Sequence, residues 1–123
     1  MPPQPTIPFS PACRSRHHAV RDTLDVVGGK WKLVILAMLR ERKYRFKELS
    51  RAIGISPSVL SKELQDLEMN QLVKRTVHNT TPLTVEYERT PYSNTLTEVL
   101  DAMSNWGDLH RETIVGTKRT RVS

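Results

Sequence analysis

The sequence predicts a single, mainly α-helical domain that carries one small β-hairpin. Its 123 residues are near the common length for one domain. Most of the chain repeats apolar residues at helical spacing, whereas residues 73–88 alternate with a period of two. Helices on both sides of one hairpin are expected to enclose a single modest core.

The two ends of the chain lack this periodicity. Residues 1–16 hold five of the eight prolines, so we expect a flexible arm there. Residues 117–123 are polar and basic, and we expect a frayed tail. The predicted domain therefore spans residues 17–116.

The first two predicted helices cover residues 19–27 and 30–40. Gly28 and Gly29 separate them, because paired glycines end a helix. The second helix has an apolar stripe at helical spacing, which predicts a buried face. That stripe consists of Trp31, Val34, Ile35 and Met38, and Leu33 and Leu39 widen it.

Two shorter helices follow a brief extended segment at residues 44–46. The first of them, residues 47–53, ends at Gly54. Its expected inward residues are Leu49, Ala52 and Ile53. The second is capped by Ser56 and begins at Pro57, where a missing N–H costs nothing. Its expected inward residues are Leu60, Leu64 and Leu67.

A hairpin and a last helix complete the domain. Residues 73–78 and 83–88 alternate in character on either side of a polar loop, which predicts two paired strands. Thr90 and Pro91 then repeat the cap-plus-proline signal of a helix start. The expected apolar stripe of this last helix is Leu96, Val99, Leu100, Met103 and Trp106.

Basic residues are concentrated in the first half of the chain. The whole sequence has 19 Lys and Arg against 13 Asp and Glu, a net charge of +6. Residues 40–51, named here the basic segment, hold six basic side chains against two acidic ones. Such a segment neutralises phosphates and favours an acidic polymer as partner. A solvated helix face is the alternative interpretation.

Other features argue against a membrane, secreted or enzymatic protein. The longest apolar run, residues 33–39, is far shorter than the ~20 residues that span a bilayer. The proline-rich start does not resemble a secretory signal, and one cysteine fits a reducing cytoplasm. No glycine-rich phosphate loop follows a strand, and the four histidines do not form the pattern of a catalytic triad. We therefore expect a cytoplasmic protein without enzyme activity or cofactor.

The order of elements indicates a winged helix-turn-helix, in which two short helices meet at a tight turn and a hairpin follows. On the second of these two short helices, which begins at Pro57, Ser58, Lys62 and Gln65 lie opposite the leucine stripe. Small and hydrogen-bonding side chains of this kind suit the floor of the DNA major groove. The start of the same helix, beside Ser56, offers backbone N–H groups to a phosphate.

Several sequence blocks make a family resemblance specific. In order, they read LDVVGGKW (residues 24–31), RFKEL (45–49), ISPSVLS (55–61), LVKRTV (72–77) and VEY (85–87). Together they resemble the HxlR-type winged-helix regulators from about residue 18 to residue 107. The resemblance implies a bacterial transcription regulator that acts as a homodimer on double-stranded DNA. Its recognition helix would enter the major groove, and its wing would follow the adjacent backbone.

The resemblance and the basic segment together give an expected DNA-contacting set. Lys30 matches the lysine of the GGKW block, Arg45 matches the arginine before the phenylalanine, and residues 78–84 would form the wing. The full expected set is Lys30, Arg42, Lys43, Arg45, Ser56, Ser58, Val59, Ser61, Lys62, Gln65, Lys74, Arg75, His78 and Asn79.

The chain also departs from the family pattern in its charges. Ser58 stands where relatives commonly have arginine, and the recognition helix, residues 57–71, carries a net charge of −2. The wing tip, residues 79–84, has no Lys or Arg. We therefore expect the basic segment to hold the DNA phosphates and the recognition helix to make modest direct base contacts.

The only cysteine lies outside the family's usual position. Relatives carry a cysteine seven residues before the aspartate of the LDV block, and this chain has His18 there. Cys13 is a candidate redox residue because Arg14 and Arg16 would lower its thiol pKa. An incidental exposed cysteine is the alternative, which the shifted position favours. Cys13, His17 and His18 lack zinc-ligand spacing, so no metal is expected.

The first and last helices carry more apolar surface than a small wing domain needs. The expected dimer-interface residues are Val20, Leu24, Leu96, Val99, Leu100, Met103 and Trp106, with core packing as the alternative. A two-fold dimer would hold two recognition helices ~34 Å apart and would bind a palindromic operator. A winged-helix module that binds another protein instead of DNA is the rival function.

Overall fold

A computed structural model describes residues 11–116, except for the side chains of residues 11 and 13. Within that range the chain forms five α-helices, three β-strands and one short 3₁₀ helix. In chain order they are α1 (Pro11–Val27), α2 (Lys32–Leu39), β1 (Tyr44–Arg45), α3 (Phe46–Ile53), α4 (Pro57–Met69), β2 (Val73–His78), β3 (Thr84–Arg89), the 3₁₀ helix (Tyr92–Leu96) and α5 (Thr97–Val115). The predicted fold class, mainly helical with a small hairpin wing, is confirmed.

The three strands form one antiparallel sheet in the order β1-β3-β2. The hairpin pairs Val73 with Arg89 at its base and His78 with Thr84 near its tip. The two residues of β1 pair with the other edge of β3, where Tyr44 lies opposite Tyr87. This pairing fixes the start of α3 beside the wing, since α3 follows β1 directly.

The core lies between the helices and one face of this sheet. Its buried side chains are Val27, Ile35, Leu36, Leu39, Tyr44, Leu49, Ile55, Leu60, Leu64, Leu67, Leu72, Val73 and Tyr87. The predicted stripe of α4 is confirmed, since Leu60, Leu64 and Leu67 are almost fully buried. This burial leaves the opposite side of α4 directed away from the core.

The predicted buried face of α2 is wrong in part. Ile35 and Leu39 are buried as expected, but Val34 is 43% exposed, and Leu36 is buried instead. Nearly every residue of α2 is apolar, so its periodicity does not select one face. Contacts with α3, α4 and β3 select it. Ala52 of α3 was also expected inward and is exposed.

The turn between α3 and α4 confirms the predicted helix-turn-helix. Gly54 has a φ of +79°, a left-handed conformation that favours glycine. The Ser50 hydroxyl donates a hydrogen bond to the Ile55 carbonyl at 2.7 Å and closes the turn. Ser56 Oγ accepts from the Val59 N–H at 3.3 Å, and Pro57 takes the first helical position. The start of α4 is therefore fixed by local chemistry.

The first helix is longer than the sequence pattern predicts. It begins at Pro11 rather than at residue 19, so it includes part of the predicted arm. Proline is favoured at a helix start, and residues 12–18 contain no helix-breaking residue. The helix ends where Gly28 donates to the Leu24 carbonyl. A Cβ on Gly28 would lie 2.2 Å from that oxygen, so only glycine fits there.

A 3₁₀ helix, rather than α5, follows Thr90 and Pro91. Thr90 Oγ1 accepts from the Ser93 N–H at 3.1 Å, and the Arg89 guanidinium donates to Ser93 and Thr97. These bonds hold a tight turn, and α5 begins only at Thr97. No helix within residues 11–116 is long and apolar enough to cross a bilayer.

The apolar stripe of α5 packs on the core only at its start. Leu96, which precedes α5, and Leu100 are half-buried against the core. Val99, Met103 and Trp106 are exposed, so core packing, the alternative interpretation, does not account for these three residues. The physical reason is that α5 extends beyond the rest of the domain after its first turns, and its residues 101–111 are all exposed.

Replacing a buried leucine of α4 tests this core. We expect Leu64→Ala to lower the free energy of unfolding by about 2–5 kcal/mol, because it removes buried methyl groups and leaves a cavity. Met69→Ala on the same helix is the control, since Met69 is 80% exposed. Urea unfolding followed by circular dichroism measures both variants. Equal losses in the two would contradict the described packing of α4.

Candidate nucleic-acid interface

Helix α4 presents a polar face that the domain leaves open. Ser58, Lys62 and Gln65 are exposed, and Ser61 is half-buried. Val59, also expected to contact DNA, is exposed at the first turn. The structure thus places Ser58, Ser61, Lys62 and Gln65 on one side of the helix, opposite its leucine stripe, whereas Val59 lies at the edge of that side.

Two of the three acidic residues of α4 pair with a lysine of α2. Lys32 Nζ lies 2.7 Å from Glu63 Oε1 and 3.4 Å from Asp66 Oδ2. The side chains of Lys32 and Glu63 are only 13% and 14% exposed. The hydrogen bond to Glu63 raises the pKa of Lys32 despite partial burial, and Asp66 adds to the effect. Lys32 therefore stays charged at neutral pH.

Because of this ion pair, the net charge of −2 on the recognition helix does not describe the charge on its exposed side. Of the three acidic residues of α4, Glu63 and Asp66 face Lys32, and Glu68 lies near the helix end. The exposed polar face therefore carries one cation, Lys62, and toward the helix end the exposed Glu68, which is three residues from Gln65. Sequence reasoning missed Lys32, because the pairing joins residues 31 positions apart.

Several cations of the basic segment are engaged within the domain. The Arg42 guanidinium lies over the Tyr44 ring at 3.8 Å and 3.6 Å from Glu48. Lys43 Nζ lies 3.8 Å from Glu88 of β3, and Arg40 pairs with Asp101 of α5. These contacts leave less of the segment's charge for a partner than the sequence count suggests.

The remaining cations of the segment are grouped around α3. Arg45, Lys47 and Arg51 are exposed, and none of them forms an ion pair within 4.0 Å in the described part of the chain. The Arg45 N–H donates to Glu48 at 2.9 Å and caps the helix. This hydrogen bond, aided by nearby Arg42, lowers the pKa of Glu48. The carboxylate of α3 is thus held at the helix start.

The wing separates its two expected cations. Lys74 pairs across the hairpin with Glu88, whereas Arg75 pairs with Tyr87, so the two lie on opposite faces of the sheet. At the tip, His78 Nε2 lies 2.9 Å from Glu86 Oε1. Asn79 is exposed beside it. Only one of the two cations can therefore face a given side of the wing.

Lys30, the first expected contact, lies before α2. It is exposed, and its Nζ lies 4.9 Å from the centroid of the Trp31 ring. Trp31 is half-buried and packs against the core, in agreement with its expected core role. Lys30 therefore lies just before α2, and not on α4 or the wing.

The expected dimer residues lie on the exposed sides of α1 and α5. Val20 and Leu24 are exposed on α1, and Trp106 is 62% exposed on α5. Trp106 stacks on His110 with ring centroids 4.7 Å apart. Sequence analysis missed Leu109 and Ile114, which are also exposed. Their spacing of three and eight residues from Trp106 was the available signal.

The candidate redox residue lies outside the described side chains. Cys13 is within α1, but its side chain is not among those described, so its redox role stays a prediction. His17 and His18 are on the same helix with ring centroids 6.0 Å apart. Among the described residues, no group of three His, Cys, Asp or Glu side chains is arranged to hold a metal ion.

Comparisons with known proteins agree on one family. Residues 26–115 match the family model described as HxlR-like helix-turn-helix. An uncharacterized HTH-type transcriptional regulator of Bacillus subtilis, YtcD, is 39% identical over 99 residues, which cover 80% of this chain and 79% of that protein. A relative in Halalkalibacterium halodurans, also named an uncharacterized HTH-type transcriptional regulator, is 45% identical over 87 residues, 69% of this chain and 77% of that protein.

Solved structures give the same result. The crystal structure of the putative regulator ytcD matches with a TM-score of 0.73 at 40% identity, and covers 76% of this chain and 96% of that chain. The redox regulator HypR in its reduced form matches with a TM-score of 0.74 at 34% identity, over 80% of this chain and 98% of that one. Both likenesses extend over nearly the whole of the known chain.

The Lys32–Glu63 pair can be tested by a double-mutant cycle. We expect Lys32→Met to lower the free energy of unfolding by about 1–3 kcal/mol, because it leaves a half-buried carboxylate without its partner. Adding Glu63→Gln should restore part of that loss, and urea unfolding measures each variant. Lys47→Met, which removes an exposed lysine of α3, is the control. Additive losses in the double variant would show that the two side chains do not interact.

Proposed function

The chain belongs to the HxlR-like helix-turn-helix family and is a DNA-binding transcriptional regulator, and we propose that it binds a palindromic operator as a homodimer. The relatives and solved structures favour this function over the rival protein-interaction module. The relatives are named regulators of transcription rather than enzymes. We further propose that it works in the cytoplasm of a bacterial cell.

The single observation that carries the proposed mode of binding is the polar face of α4. Ser58, Lys62 and Gln65 are exposed there, while Lys32 of α2 pairs with Glu63 on another side of α4. Hydroxyl, ammonium and amide groups match the donors and acceptors of the major groove. We propose that these side chains, with Ser61 and Val59, contact base edges, and that the capped start of α4 at Ser56 contacts a phosphate.

Phosphate contacts are proposed for the cations around α3 and for the wing. Arg45 is exposed without an ion pair among the described residues, whereas Arg42 and Lys43 are held by Glu48 and Glu88. Unpaired cations neutralise phosphate without first breaking an internal contact. We therefore propose Arg45 as the main backbone contact of the predicted set. Smaller contributions would come from the other predicted cations, Lys30, Arg42, Lys43, Lys74 and Arg75, and from His78 and Asn79 of the wing.

The proposed homodimer would cover the apolar faces of α1 and α5. Clustered apolar side chains that stay exposed on surface helices are unfavourable in water and typical of an interface. Val20 and Leu24 of α1 and Met103 and Trp106 of α5 would supply its centre. Val99 lies on the same side of α5, while Leu96 and Leu100 would support it from the core. A two-fold axis would then place two α4 helices on successive major grooves.

Sequence-specific binding is tested by selecting bound fragments from genomic DNA and comparing a selected fragment with random duplex. We expect tighter binding to the selected fragment and an inverted repeat within it. Binding to both should weaken as salt rises, because cations displace counterions from the phosphates. Equal affinity for the selected and random duplexes would contradict a sequence-specific regulator.

The roles of Arg45 and Arg42 are separated by matched alanine variants. We expect Arg45→Ala to weaken binding to random duplex and to reduce the slope of log affinity against log salt by about one. Arg42→Ala should have a smaller effect, since its guanidinium already contacts Tyr44 and Glu48. Fluorescence anisotropy at several salt concentrations measures both. A larger effect of Arg42→Ala than of Arg45→Ala would show that Arg42, and not Arg45, makes the main phosphate contact.

The dimer interface is tested by placing a charge on α5. We expect Met103→Glu to shift the protein toward monomer at micromolar concentration, because the interface would bury an unpaired carboxylate. Asn105→Glu is the control, since two residues along a helix rotate the side chain by ~200° to the opposite side. Sedimentation equilibrium measures both variants. A wild-type monomer at the same concentration would overturn the proposed homodimer.

A further inference from the structure

A groove of about 560 Å³ lies between α3 and the wing. Four cationic side chains line it: one from the end of β1, two from α3 and one from β2. They are Arg45, Lys47, Arg51 and Arg75. The one carboxylate in the lining, Glu48, already accepts from the Arg45 N–H and lies 3.6 Å from Arg42. The groove is therefore strongly cationic.

Apolar side chains form the rest of the groove. Phe46 lies at the start of α3, with its ring centroid 6.4 Å from that of the buried Tyr87. Val85 continues the core-facing side of β3 beyond Tyr87, since residues two apart on a strand share a face. Leu83 extends the apolar surface toward the wing tip and is 63% exposed.

The groove exists because the hairpin is longer than the core beneath it. At the base of the hairpin, Val73 and Tyr87 are buried in the core, and the outer part of the hairpin continues past α3. Arg75 lies directly opposite Tyr87, so its side chain is on the same face as the core. The outer part of the sheet and α3 together form one concave site, which both apolar and cationic side chains line.

We propose that this groove binds a planar aromatic anion, of the aromatic carboxylate or sulfonate class. The aromatic ring would pack on Phe46, Leu83 and Val85, and the anionic group would accept hydrogen bonds from Arg75, Arg51 or Lys47. Guanidinium groups bind carboxylates through charge-assisted and often paired hydrogen bonds. A bare phosphate would use the cations and leave the apolar surface in water. A neutral aromatic molecule would use the apolar surface and leave the cations without a partner.

Occupation of the groove by such an anion would affect the affinity of the protein for DNA. Arg45 and Arg75 line the groove and also belong to the proposed DNA-contacting set. A bound anion would occupy these cations and repel the phosphate backbone, so it would weaken DNA binding. This consequence rests on the proposed function, whereas binding of the anion itself does not.

Calorimetry of the full chain with naphthoate, an aromatic carboxylate, tests the proposal. We expect one site per chain, with affinity at least about tenfold lower for inorganic phosphate and for the neutral alcohol naphthalenemethanol. Arg75→Gln should weaken naphthoate binding about tenfold, because it removes a charged donor. Lys74→Gln is the matched control: it removes the same charge from the next residue of the strand, on the opposite face of the sheet, and should change the affinity less than about twofold.

Each other outcome would overturn the proposal. No binding at about 1 mM naphthoate would show that the groove has no useful affinity. Equal binding of phosphate would indicate a simple phosphate contact, and equal binding of the alcohol a non-specific apolar surface. Equal effects of Arg75→Gln and Lys74→Gln would indicate net charge alone. Anisotropy with random duplex, with and without naphthoate, then tests competition separately, so a failure to bind DNA leaves the calorimetric result standing.

Discussion

The contact between Lys32 of α2 and Glu63 of α4 is the interaction on which the DNA-facing side of the structure depends. It neutralises the carboxylates of α4 on the side turned toward α2. The leucine stripe fixes which side of α4 is buried, and Lys32 pairs with Glu63 and Asp66. Without it, the helix that should enter the major groove would carry unbalanced negative charge toward an anionic polymer.

The same selection among charges operates in the basic segment. Its six cations are equivalent in a sequence count, but the structure divides them into two groups. Arg40, Arg42 and Lys43 are paired with acidic residues, while Arg45, Lys47 and Arg51 form no ion pair in the described range. An internal pair must be broken or shared before its cation can hold a phosphate, so equal formal charges are not equal in binding.

Apolar residues are divided in a comparable way. One wing domain with three short strands encloses a core of modest size, and it cannot cover the outer parts of α1 and α5. Val20, Met103 and Trp106 therefore stay exposed in the single subunit, and in the proposed homodimer a second subunit would bury them. The groove between α3 and the wing arises differently, since there the hairpin extends past its support and brings Arg75 beside Val85.

The sequence by itself determined the features that depend on neighbouring residues. The cap at Ser56, the turn at Gly54, the leucine stripe of α4 and the alternation of the hairpin are local, and each was predicted correctly because its physical cause lies within a few residues. Tertiary structure decided what depends on distant partners. It chose the buried face of the uniformly apolar α2, paired Lys32 with Glu63, and placed Lys74 and Arg75 on opposite faces of the wing. Periodicity predicts that one face of an element will be buried. Which residues of other elements contact that face, and which charges form pairs, is set by how the elements pack.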